Sequence, residues 1–141
     1  FFFVLIPPPR YHFRKRVDTM DSDRKTILVV EDDPQNMLMF REFLGIYGYN
    51  ALCAGNGEEG VLKAVEGRPD VILMDIQLPV LDGFGALERI RGSEAASIPV
   101  IAVTAHFHDR EALLASGFDD FIPKPVDLDA LNSRIEFYST K

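Results

Sequence analysis

The feature that most constrains this chain is a set of short apolar runs that stop abruptly on polar residues. Val71-Ile72-Leu73-Met74 runs straight into Asp75. Ile27-Leu28-Val29-Val30, preceded by Thr26, stops at Glu31-Asp32-Asp33-Pro34, and Val100-Ile101-Ala102-Val103 stops at Thr104. None of these runs alternates apolar with polar residues, as a strand with one wet face would. Unbroken runs of this length mark strands covered on both sides, the situation of a parallel sheet between helices.

The segments between the runs supply those helices. Pro34 suits a first helical position with Asp33 as its N-cap, and Met37, Phe40, Leu44 and Tyr47 recur at helical spacing up to Gly48. "NALCA" from Asn50 reads as a second, weaker strand. "NGEEGVLKAVEG" then places Val61, Leu62 and Val65 on one helical face and ends at Gly67. A third helix carries Phe84, Leu87 and Ile90, with Asp82 as a cap and turn residue. "REALLASG" is a short fourth helix closed by Gly117, and "DFIPKP" is the fifth strand. Asp127 caps a last helix whose Leu128, Leu131, Ile135 and Tyr138 are expected to face inward. Five strands alternating with five helices, joined by right-handed crossovers, predict an α/β fold with an open, doubly wound parallel sheet. Sites in such sheets form outside the carboxyl ends of the strands, where strand order reverses.

The strand ends carry the chemistry. Glu31, Asp32 and Asp33 end the first strand, Asp75 the third, Thr104-Ala105 the fourth and Lys124-Pro125 the fifth. Two carboxylates ~4 Å apart repel by roughly 4 kcal/mol at an effective dielectric of 20, so such a cluster calls for a cation. Oxygen ligands with room for water favour a hard divalent ion, Mg²⁺ above others. Acids, a dication, the Lys124 ammonium and the Thr104 hydroxyl together describe a site for a phosphoryl group. Asp75 emerges alone from the central apolar strand, and the turn after it leaves backbone N–H groups to face an incoming oxygen. It is the expected nucleophile, with an acyl phosphate as product.

"ILVVEDDPQN", "DVILMDIQLPVLDG", "PVIAVTA" and "DFIPKP", in this order, resemble the receiver domain of two-component response regulators over about residues 27–137. The closest likeness in wording is to small stand-alone regulators of cell division and polarity and to receivers of hybrid kinases. The resemblance implies a flavodoxin-like sheet of strand order 2-1-3-4-5 with five helices. It implies that Asp75 accepts phosphate from a histidine kinase or phosphotransfer protein. Asp32 would hold Mg²⁺ directly, Glu31 would act through water, and the Gln77 carbonyl and Asp75 would complete the set. Thr104, the Ala105 amide and Lys124 would bind phosphoryl oxygens, and Lys124-Pro125 would be a cis peptide. Phe121 stands at the position of an aromatic switch residue coupled to Thr104, although an ordinary core aromatic is the alternative. Gln77 and His106 would tune dephosphorylation. The segment from Thr104 to Gly117 is about two residues shorter than usual in the family, which alters the output face of fourth helix, fifth strand and fifth helix.

The remaining features bound these readings. Residues 1–19 hold four basic residues and Asp18, leaving about ten net negative charges on the other 122, so direct DNA binding is not expected. "FFFVLIPPP" is far shorter than the ~20 residues needed to cross a bilayer. Residues 1–19 are therefore expected to be a non-core extension or leader, with the receiver domain over 20–141 and no transmembrane segment. The lone Cys53 excludes an internal disulfide, reads as a small apolar side chain and fits a reducing, cytoplasmic setting. His106 and His108 lack the further ligands of a transition-metal site. With no further domain expected after the last helix, output is expected through protein contacts, either as a switch or as a phosphorelay intermediate cut from a hybrid kinase. An aspartyl-phosphate phosphatase would need an acid two residues after the nucleophile, where Gln77 stands. A receiver that is never phosphorylated conflicts with an intact Glu31, Asp32, Asp75, Thr104 and Lys124.

Overall fold

The computed structural model describes residues 20–105 and 110–140. Five strands alternate with five helices: β1 Thr26–Val30, α1 Pro34–Ile46, β2 Asn50–Ala54, α2 Gly57–Gly67, β3 Val71–Asp75, α3 Gly83–Arg91, β4 Val100–Thr104, α4 Arg110–Ala115, β5 Asp120–Pro123 and α5 Leu128–Ser139. The sheet is wholly parallel in the order β2-β1-β3-β4-β5. The flavodoxin-like expectation holds, and the order reverses between β1 and β3.

The unbroken apolar runs serve two cores at once. Alternate residues of each strand point to opposite faces. Ile27, Val29, Leu73 and Val103 join Phe40, Phe43 and Leu44 of α1 and Leu131 and Ile135 of α5. Leu28, Val30, Ile72 and Met74 join Ala64 of α2, Leu87 and Ile90 of α3, Leu113 of α4 and Phe118.

The helix starts follow the sequence. Asp33 accepts from the Gln35 N–H, Asp82 from Gly85 and Asp127 from Asp129 and Ala130, each satisfying donors left open in a first turn. Some helix faces differ from expectation. Leu62, Phe84, Leu128 and Tyr47 are exposed. The fully buried residues of α2 are Gly57, Gly60 and Ala64, because this helix lies close against its neighbours, while Val61 and Val65 pack partly buried against the same core as expected and Leu62 is exposed. A Cβ on Gly57 would sit 1.8 Å from the Leu81 carbonyl oxygen. Phe84 packs edge-on against Phe118 with ring centroids 5.8 Å apart. The left-handed residue ending α2 is Arg68, one position after Gly67. Cys53 is half-buried, and burial pushes its thiol above the usual range.

Two polar fastenings close the molecule. The buried Asn50 side chain accepts from the Asp21 N–H at 3.0 Å and donates to the Asp21 and Arg24 carbonyls and to Thr26 Oγ1. At the other end of the sheet, the Arg91 guanidinium donates to the carbonyls of Ala96, Ile98 and Gly117 and to Asp119 Oδ2. That one side chain joins the turn after α3 to the turn after α4.

Candidate functional site

β1 and β3 lie side by side and end at the same height, so their terminal acids meet where the strand order reverses. One carboxylate oxygen each from Glu31, Asp32 and Asp75 lies within 4.8 Å of the others. Asp33 is not part of this group, because capping α1 turns its carboxylate to Gln35. Glu31 is 3% exposed and Asp75 8%, whereas Asp32 faces solvent. Two of the acids thus sit at the wall of a crevice and one at its mouth.

Lys124 reaches into the crevice from the end of β5. Its Nζ lies 3.1 Å from Asp75 Oδ2 and 3.4 Å from Glu31 Oε1. The lysine is positioned by its own backbone, since its N–H donates to the Thr104 carbonyl at 2.9 Å and its bond to Pro125 is cis. Burial pulls the ammonium downward, but the Asp75 and Glu31 charges outweigh it and hold its pKa above the ordinary value. Burial raises Glu31, against the opposing hydrogen bond from the Asp33 N–H at 3.0 Å. One ammonium does not neutralise three carboxylates, so the crevice keeps an excess of negative charge among hard oxygen donors. That chemistry fits a divalent cation bound partly through water.

The loop after Asp75 folds back over the site. The Gln77 N–H donates to Asp75 Oδ1 at 3.3 Å, so this donor does face the carboxylate. Gly83 N–H bonds the Ile76 carbonyl at 2.8 Å, and a Cβ there would fall 2.5 Å from the Asp75 carbonyl oxygen, so only glycine fits. Between them Val80 has φ 69° and Leu81 N–H reaches the Pro79 carbonyl at 2.7 Å, a tight positive-φ γ-turn. A β-branched residue in that conformation is a strained one.

The other named residues fall around this centre. Thr104 is buried one position beyond Val103, the register partner of Asp75, and Ala105 next to it is exposed. Phe121 is half-buried opposite Ala102. His106 and His108 lie outside the described residues. One neighbour escaped sequence reasoning: the Arg110 guanidinium carbon stands 5.4 Å from the centroid of the Phe121 ring. "DREA" offered no signal for it, because an arginine in a first helical turn is usually solvated.

The family model described as response regulator receiver domain matches residues 27–136, spanning every element from β1 to most of α5. The chain belongs to this family. It is 38% identical over 117 residues to the polar-differentiation response regulator DivK of Brucella anthropi, covering 81% of this chain and 95% of that protein. It is 34% identical over 125 residues to the sensor histidine kinase GacS of Pseudomonas protegens, covering 84% of this chain but only 14% of the kinase. Among solved structures, the receiver domain of sensor histidine kinase PA1611 from Pseudomonas aeruginosa superposes with a TM-score of 0.78 at 36% identity, over 84% of this chain and 99% of that one. The PA1611 receiver carries a magnesium ion in its active-site cleft. This receiver domain is thus similar both to stand-alone regulators and to receivers of hybrid kinases. Among its described residues no helix is long and apolar enough to cross a membrane.

Proposed function

We propose that this receiver domain is a phosphoacceptor switch in which Asp75 takes a phosphoryl group from a histidine of a kinase or phosphotransfer protein. The observation that carries this reading is the meeting of the Asp75 carboxylate with Lys124 and with the oxygens of Glu31 and Asp32. An Asp75 oxygen attacks phosphorus, a P–O bond forms as the P–N bond of phosphohistidine breaks, and the departing imidazole nitrogen takes up a proton. Glu31, Asp32, Asp75 and the Gln77 carbonyl are the groups to hold Mg²⁺. When bound, the ion neutralises charge on the phosphoryl oxygens. Lys124, Thr104 and the Ala105 amide receive those oxygens, and Gln77 and His106 set how long the acyl phosphate lasts.

The modification adds about −1.5 to −2 charge, by analogy with phosphorylated hydroxyls. That charge draws Thr104 and Lys124 inward, Phe121 turns in with them, and the face of α4, β5 and α5 changes its protein contacts. The domain catalyses only its own phosphorylation and dephosphorylation, and works in the cytoplasm. The likeness to a segment of GacS supports a second setting with the same chemistry, a relay intermediate within a hybrid kinase.

Acetyl phosphate with Mg²⁺ should add one phosphoryl mass to the intact chain, and chelating the metal should abolish it. Asp75→Asn should remove the label while Asp33→Asn keeps it. Labelling that persists in Asp75→Asn would sink the assignment, and turnover of an added phosphomonoester would favour a phosphatase instead.

A further inference from the structure

We propose that Arg110 is a positioning residue that restrains the site by holding the Phe121 ring in its half-buried position, an inference that rests on the phosphoacceptor reading and extends it to regulation. Phe121 has no hydroxyl with which to anchor its ring. Its backbone is already fixed: the N–H donates to Asp120 Oδ1 at 2.8 Å, and the carbonyl accepts from Arg134 Nη1 at 3.1 Å. Turning the ring therefore needs only side-chain rotation. The half-buried ring packs against the core on the α2, α3 and α4 side of the sheet, and the Arg110 guanidinium lies 5.4 Å from its centroid. Attraction between a cation and the ring face is directional, so it favours this ring position over others.

Helix chemistry does not account for Arg110 at this place. A cation in a first helical turn opposes the helix dipole, and α4 has Arg110 as its first residue. Among the described residues no carboxylate lies within ion-pair distance of Arg110. The contact also spans the two segments that lead away from the site. Arg110 opens the helix that follows Thr104, and Phe121 precedes Lys124 by three positions on β5. A ring turned further inward would leave the guanidinium behind. The cation–ring attraction is then present only in the resting arrangement and weighs against phosphoryl occupancy by its full strength.

Calorimetric titration of the full chain with beryllofluoride and Mg²⁺ tests this. For a solvent-facing cation the contact is worth about a two- to fivefold change in an equilibrium, so Arg110→Ala should bind the mimic about two- to fivefold more tightly. Arg110→Lys, which keeps the cation, should fall between Arg110→Ala and the parent. In a Phe121→Leu background, Arg110→Ala should have no effect. An unchanged or weaker affinity in Arg110→Ala, or the same gain without the ring, overturns the role of Arg110 and leaves the phosphoacceptor reading standing. A parent chain that takes up no beryllofluoride overturns both.

Discussion

The helices that follow the two halves of the site are built very differently. α1 follows the acids of β1, runs 13 residues, is capped by Asp33 and buries Phe40, Phe43 and Leu44. α4 lies beyond Thr104 and, among its described residues Arg110–Ala115, buries only Leu113. Helices owe most of their stability to packing of an apolar face, so α1 is locked to the sheet and α4 is held by little. The contrast separates two tasks. On the proposed phosphoacceptor reading, acids that hold a cation at fixed distances belong beside the rigid element, whereas a response to added charge belongs where local rearrangement costs least.

Substitutions can break or sharpen that contrast. Phe40→Ala should cost the most, about 3–5 kcal/mol of global stability, and should weaken magnesium binding along with the fold. Urea unfolding followed by metal titration reads both. Arg91→Met removes four hydrogen bonds from the turns that precede β4 and β5 and should cost about 2–3 kcal/mol. Its loss should appear first as faster amide exchange in α4 and β5, with magnesium affinity unchanged. Equal exchange in α1 would mean that the two halves unfold as one. Asp33→Ala should cost only about 1 kcal/mol through the lost cap, measured by thermal melting, and leave the acids in place.

Glu31→Gln gives the smallest change in fold and the clearest sign. Burial raises the pKa of the Glu31 carboxyl above its ordinary value, so folding makes it easier to protonate than in the unfolded chain. The stability it contributes is present at pH below that ordinary value and is lost as pH rises through its raised value. Without metal, the parent should therefore lose stability as pH rises toward neutral, and Glu31→Gln should lose less. Melting curves at several pH values in chelator test this; a steeper loss in Glu31→Gln would contradict it.

How much of this was legible follows from which forces act locally. The three unbroken runs, the caps Asp33, Asp82 and Asp127, and the acids at strand ends are written within a few residues of each other. They were readable because strand burial and helix capping are short-range. Inward helix faces were less so: Leu62 and Phe84 fit the helical period, yet α2 approaches its neighbours through Gly57, Gly60 and Ala64, and closeness favours small residues over large ones. Arg91 could not be found, since its partners Gly117 and Asp119 lie 26 and 28 positions away. The approach of Lys124 to Asp75 was inferable only from strand order. The Arg110–Phe121 contact joins residues 11 positions apart on different elements, and no local pattern encodes it.

The Asn50 fastening has a practical consequence for anyone who trims this protein. All of its side-chain partners, Asp21, Arg24 and Thr26, precede the first residue matched by the family, Ile27. At the opposite terminus Tyr138, whose hydroxyl bonds the Asp119 carbonyl and Asp120, follows the last matched residue, Glu136. A fragment cut to the family-model span would strip a buried amide of its companions and remove one of the two side chains of α5 that bond β5, leaving Arg134 to hold it. The hydrogen-bonded unit is wider than the span matched by the family model.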